Sequence, residues 1–106
     1  MGSGERSVLP LDAAVPAGVA DAGTAPPAAR VAELVAGGAP VLVTLTADGP
    51  DVPDAGLLAA ASVYAWLGAR VFRAPDDHEA ALRQVLDMVA SIEGTRQPLV
   101  SRRGLA

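Results

Sequence analysis

Chemistry in this sequence concentrates at two places. Thr46-Ala47-Asp48-Gly49 follows one apolar run, and Arg73-Ala74-Pro75-Asp76-Asp77-His78 follows another. Arg73 lies just ahead of a predicted helix start. A guanidinium offers a fork of N–H donors, and the free amides of a helix N-terminus favour negative charge, so Arg73 has the type and place to hold a phosphate. The alternative is an internal pair with Asp76 or Asp77, or plain solvation. His78 is the single histidine. It falls in the first turn of the last predicted helix, where an acid–base role competes with a plain exposed position near a cap. Asp76 and Asp77 read as caps. Ser62 and Ser91 sit inside predicted helices with no base nearby, which excludes a Ser-His-Asp hydrolase.

Composition removes further classes. There is no Cys, so disulfides, thiolate catalysis and Cys-based metal sites are out. One His cannot build a multi-His metal site. All eight basic residues are Arg, which excludes a Schiff-base or P-loop lysine. A net charge of −4 argues against nonspecific nucleic-acid binding. No apolar run reaches the length of a membrane span, and the N-terminus lacks the apolar core of a signal peptide. The expectation is a cytoplasmic protein.

The elements that must position these residues follow from pattern. The 106 residues allow one domain. Half of them (51%) are hydrophobic, but only 3% are aromatic, so the core is built from Ala, Val and Leu. Small side chains bury little area each, which predicts marginal stability or a partner covering part of the surface. Residues 1–27 carry Pro10, Pro16, Pro26 and Pro27 and are expected to form a flexible or loosely docked arm. Within it, VLPLDAAV has the makings of one short strand. Ala28–Ala36 reads as a helix stopped by Gly37-Gly38. Pro40–Thr46 is β-branched and nearly all apolar, as in a strand buried on both faces of a parallel sheet. Asp54 caps a helix to about Leu67, which Gly68 ends. That helix is apolar nearly all round, with Tyr64 and Trp66 expected at an edge. Ala69–Arg73 is a second strand. Asp76 and Glu79 make a capping-box-like start to a helix with Leu82, Val85, Leu86, Val89 and Ile92 on one face. Gly94 is expected to end it, leaving 95–106 as a polar tail. The order helix–strand–helix–strand–helix is that of an α/β fold with two consecutive βα units, a piece of a parallel sheet or barrel. In such folds ligands bind where strands end and helices begin.

The stretch SVYAWLGARVFRAPDDHEAALRQVLDMVASIEGTRQP resembles the C-terminal end of bacterial dihydropteroate synthase, particularly the versions from high-GC actinobacteria. GAPVLVTLT is similar to that family's preceding strand, which leads into a Ser-x-Lys loop. The likeness runs from roughly Val31 to Arg103 and is most specific over Ala65 to Ile92. The resemblance implies a partial TIM barrel, from a family whose full barrels take about 250 residues. The family condenses a pterin pyrophosphate with p-aminobenzoate and releases pyrophosphate, using Mg2+ with the diphosphate.

Carried over by position, Arg73 matches a phosphate-binding Arg. Pro75 stands where the family has a His. Asp48 falls about where it has a Lys, and Thr46 replaces its Ser. His78, a few residues later, is the one imidazole available as a substitute. Exchanging a Lys for an Asp near a diphosphate costs several kcal/mol of binding at an effective dielectric of about 20. The family's N-terminal Asn and pterin-binding Asp have no counterpart, and the ligands for Mg2+ are absent. Arg73, with Thr46 and His78 beside it, is therefore the candidate phosphate site, without a catalytic residue. The implied function is a truncated dihydropteroate synthase-like protein, inactive alone. The alternative is a non-catalytic partner or regulatory subunit that self-associates or joins a longer dihydropteroate synthase-like chain. Pterin pyrophosphate is the small molecule implied; no nucleic acid and no membrane is.

Overall fold

The structure is a computed structural model that describes residues 5–105, with side chains described for 5–94. Four strands, β1 (Ser7–Pro10), β2 (Ala20–Thr24), β3 (Val41–Thr44) and β4 (Val71–Ala74), form one sheet in the order β1-β4-β3-β2. Every neighbouring pair is parallel. Three helices accompany them: α1 (Ala28–Ala36), α2 (Ala55–Leu67) and α3 (Glu79–Leu105). A 3-10 turn, Asp76–His78, joins β4 to α3. This is the expected α/β architecture, an open section of a parallel barrel.

The local signals that mark α2 are all used. The Asp54 carboxylate accepts from the Leu57 amide at 2.9 Å. Gly68 ends the helix in the left-handed region at φ 115°. A Cβ there would also stand 2.9 Å from Cγ1 of Val35 on α1, so glycine serves both the turn and the helix contact. β3 is buried at all four positions, as a central parallel strand should be.

The segment before Ala28 differs from the expectation of an arm. It supplies two of the four strands. β1 docks in register beside β4, with Ser7 opposite Val71 and Leu9 opposite Arg73. Arg6, just ahead of β1, donates to the carbonyl oxygens of Ala65 and Ala69 and to Glu93 on α3. Its side chain is 4% exposed. Ala65 is in the last turn of α2 and Ala69 lies just past it, so the guanidinium sits at the negative end of the helix. Prolines argued against regular structure here, but β1 is an edge strand, where a missing amide costs no ladder bond. In β2 an extra residue bulges between Asp21 and Thr24, with Gly23 at φ 98°.

The helix stop predicted at Gly94 is also corrected: α3 runs on to Leu105. Glycine lowers helix propensity by only about 1 kcal/mol and stops a helix only where the chain turns into the left-handed region. The side chains of the expected polar tail, 95–106, lie outside the described residues.

The sheet has two different faces. Val41, Val43, Leu45, Phe72 and Ala74 pack with Leu57, Ala61, Tyr64, Leu82, Leu86 and Val89 against the helices. Alternation along the strands puts Leu42, Thr44, Val71 and Arg73 on the opposite face. No described helix covers that face, yet Leu42 is fully buried. Topology explains this. The steps β2 to β3 to β4 run one way along the sheet. The connection from β1 to β2 runs back across its whole width. A right-handed crossover in that reverse direction must pass over the other face. Residues 11–19 therefore cross the face that would line the interior of a closed barrel.

Candidate functional site

Arg73 lies on that crossed face, near the C-terminal ends of the strands. In register its parallel neighbours are Thr44 on β3 and Leu9 on β1. Its Nε donates to Oγ1 of Thr44 at 3.0 Å. One terminal nitrogen donates to the carbonyl oxygen of Ala13 at 2.8 Å, in the crossing segment. The other donates to Oδ2 of Asp21 on β2 at 3.4 Å. The side chain is 17% exposed. All three guanidinium nitrogens thus have acceptors supplied by the chain. The Asp21 carboxylate is held in turn by the Gly23 amide at 2.8 Å. At that exposure and distance, the ion pair contributes less than about 1 kcal/mol. Its main effect is geometric: it points the fork inward.

A second cluster joins the β3–α2 loop to the β4–α3 turn. The Asp54 carboxylate gathers three amides: Leu57 at 2.9 Å, Asp48 at 3.0 Å and Gly49 at 3.3 Å. These bonds, that of Leu57 first, hold the carboxyl below its ordinary value of 3.8. The Asp54 amide donates to Nε2 of His78 at 2.9 Å. An amide can only donate, so Nε2 is the bare nitrogen and Nδ1 carries the proton. Nδ1 then donates to Oδ1 of Asp77 at 2.8 Å. Among the described residues, no buried side-chain polar atom is left without a partner.

The residues singled out by sequence reasoning meet different fates. Arg73 stands at the strand end as expected, but its pairing is with Asp21, not with Asp76 or Asp77. Thr46 is exposed beyond the end of β3. Thr44, two residues earlier, is the threonine that meets the arginine. His78 is not an exposed residue near a cap: it is 1% exposed and bonded on both nitrogens. Asp76 serves through its backbone, its carbonyl accepting the Glu79 amide in the 3-10 turn, and no capping box forms. Asp77 orients His78. Pro75 precedes that turn, and Asp48 is exposed with its amide on Asp54.

Three partners of Arg73 escaped notice. Thr44 was reachable, since residues two apart on a strand share a face. Ala13 and Asp21 gave no local signal. A further cleft, lined by Glu5, Arg6, Arg83, Leu86, Asp87 and Ala90, lies beside α3 at the opposite end of the strands.

No family model matches the chain. Over 87 residues it is 46% identical to a Mycobacterium tuberculosis protein named inactive dihydropteroate synthase 2, a match covering 73% of this chain and 26% of that one. The Mycobacterium leprae protein of the same name is 54% identical over 52 residues, covering 48% of this chain and 17% of the relative. This is a dihydropteroate synthase-like chain. It spans about a quarter of the length (26%) of the curated relatives it matches over 87 residues. The solved structure of Mycobacterium tuberculosis Rv1207 aligns with this dihydropteroate synthase-like chain at a TM-score of 0.50 and 43% identity, over 63% of this chain and 26% of that one. The likeness carried by LGARVFR and the helix after it therefore extends over 73% of this chain in sequence and 63% in shape.

Proposed function

We propose that this dihydropteroate synthase-like chain does not condense pterin pyrophosphate with p-aminobenzoate by itself, and that Arg73, at the position of the family's phosphate-binding arginine, serves the fold. The observation that supports this reading is the inward bonding of Arg73 to Thr44, Ala13 and Asp21. A diphosphate would have to displace a carbonyl and a carboxylate already in place. Asp48 sits where the family resemblance implies a Lys, and Pro75 where it implies a His, so two further anion contacts are missing. The names of the relatives, inactive dihydropteroate synthase 2, agree with this reading. Magnesium does not fit either. Among the described residues no group of three His, Cys, Asp or Glu side chains comes together, and the Asp54 carboxylate is taken up by amides. No step is routed through that ion.

The test is a direct one. Pyrophosphate and pterin pyrophosphate are titrated calorimetrically into the chain, and pyrophosphate release is followed in the presence of p-aminobenzoate. We expect no turnover and a Kd weaker than about 1 mM, which corresponds to less than about 4 kcal/mol of binding. Arg73→Ala should leave that weak binding unchanged. Turnover by the chain, or tight binding lost in Arg73→Ala, would overturn the proposal.

A second reading is supported by the surface. Val63 and Trp66 on α2, and Met88 and Ile92 on α3, are large apolar residues between 46% and 63% exposed. They favour association with a second copy or with a longer dihydropteroate synthase-like chain. Light scattering on the purified chain, alone and mixed with such a chain, decides it: a monomer in both samples sinks the reading. No described helix is long and apolar enough to cross a membrane. A cytoplasmic place in folate metabolism is part of the same proposal.

A further inference from the structure

We propose that His78 is a proton-operated latch that fastens the β3–α2 loop to the β4–α3 turn when its imidazole is neutral and releases that loop when Nε2 is protonated. The bond between the Asp54 amide and Nε2, 2.9 Å long, exists only while Nε2 has a lone pair to offer. Protonation sets two N–H groups against each other inside a site where the side chain is 1% exposed. One must move. Asp77, on the imidazole's other side, is 62% exposed and remains a partner for the charged ring, so the ring can turn toward it and toward water.

What is released matters because Asp54 organises its surroundings. Its backbone amide meets His78, while its carboxylate holds the amides of Asp48 and Gly49 and starts α2. Freeing the Asp54 backbone loosens the anchor of the whole 47–53 loop. That loop leads out of β3 beside the strand end where Arg73 sits. The elements that meet at His78 carry Asp76 and Asp77 on its own turn, Glu79 at the start of α3, Asp54 ahead of α2, and Asp48 and Asp51 in the β3–α2 loop; of these Asp77 bonds the imidazole through its carboxylate and Asp54 through its amide. All are acidic. The amide partners of the Asp54 carboxylate, Leu57 first, hold its pKa below the ordinary value.

The experiment follows backbone amides and the imidazole nitrogens of the whole chain by NMR from about pH 8 to about pH 5, the range of imidazole titration. The imidazole should start as the Nδ1–H tautomer. As it charges, hydrogen-exchange protection of the Asp54, Asp48 and Gly49 amides should fall together by about tenfold, the loss of roughly one hydrogen bond. The amides of Leu42, Val43 and Phe72 should keep theirs. In His78→Gln, whose side-chain oxygen can accept from Asp54 but does not titrate, the loop should stay protected across the whole range. Unchanged Asp54 protection through the imidazole titration overturns the latch, and so does the same transition in His78→Gln. Simultaneous loss at the core strands also overturns it, since His78 would then act only on global stability. Should His78→Gln fail to fold, the titration of the parent chain decides alone.

Discussion

Asp54 shows how much one carboxylate can organise. It caps α2, ties back Asp48 and Gly49, and through its own amide meets His78. Those bonds lower its pKa below 3.8. A carboxyl whose pKa is lower folded than unfolded adds stability that is complete above the unfolded value. That stability fades as pH falls through the folded one. Urea midpoints measured across a pH series should therefore decline below about pH 4, near the free carboxylate value. Asp54→Asn keeps a cap acceptor and should flatten that acid limb. Asp54→Ala should lower the midpoint at every pH and expose the 47–53 loop to exchange. A parent chain whose acid limb survives in Asp54→Asn would show that another carboxyl is responsible. Arg73 illustrates the complementary case. Its chemistry is intact, but its geometry is turned inward by acceptors far off in sequence.

At the scale of elements, the docking of β1 is the feature that most changes the picture. Arg6 sits ahead of β1 and reaches the end of α2 and Glu93 of α3 together. Removing it takes the cation from the Ala65 carbonyl of α2 and the Ala69 carbonyl just past it, and loosens the edge strand. Arg6→Ala should cost about 1.5 to 3 kcal/mol, the range for hydrogen bonds that involve a charged group. Chemical denaturation checks the value, and exchange at Val8 and Leu9 should rise with it. A loss within about 0.5 kcal/mol, typical of an ordinary surface substitution, would mean that β1 holds by its ladder alone. α2 needs no such device at its other end. Asp54 and Gly68 fix both of its limits, and its apolar surface is shared between the core and the exposed Val63 and Trp66.

At the scale of the whole molecule, four parallel strands stand as an open sheet without leaving the inner face bare. In a closed eight-stranded barrel, side chains from facing strands fill that space. Here the β1–β2 connection crosses it, and Leu42 is fully buried beneath. Leu42→Ala should therefore destabilise by about 2 to 5 kcal/mol, as for a buried leucine in any core. A cost within about 0.5 kcal/mol would show that the crossing segment contributes no packing. The same crossing brings Ala13 over Arg73 and delivers the chain to Asp21. One topological choice thus covers the sheet and fills the place beside the arginine.

How far the sequence speaks depends on how far apart the interacting residues lie. β3, β4 and α2 were legible because their signals are local: an apolar β-branched run, a capping Asp, a terminal Gly. Arg73 at a strand end was legible for the same reason, and the resemblance of LGARVFR and its sequel pointed to the family from consecutive residues. The partners of Arg73 were not legible, because Ala13 and Asp21 lie 60 and 52 residues away. Nor was the burial of His78, whose acceptor role depends on an amide 24 residues earlier. Prolines in 1–27 argued against regular structure, and they could not show that short strands there would find edges to join. By itself the sequence determined the types of the central elements and the chemistry each side chain carries. Tertiary structure alone decided which donors meet which acceptors. A hydrogen bond is settled by position in space, and a crossover that runs the width of the sheet leaves no periodicity in the chain that makes it.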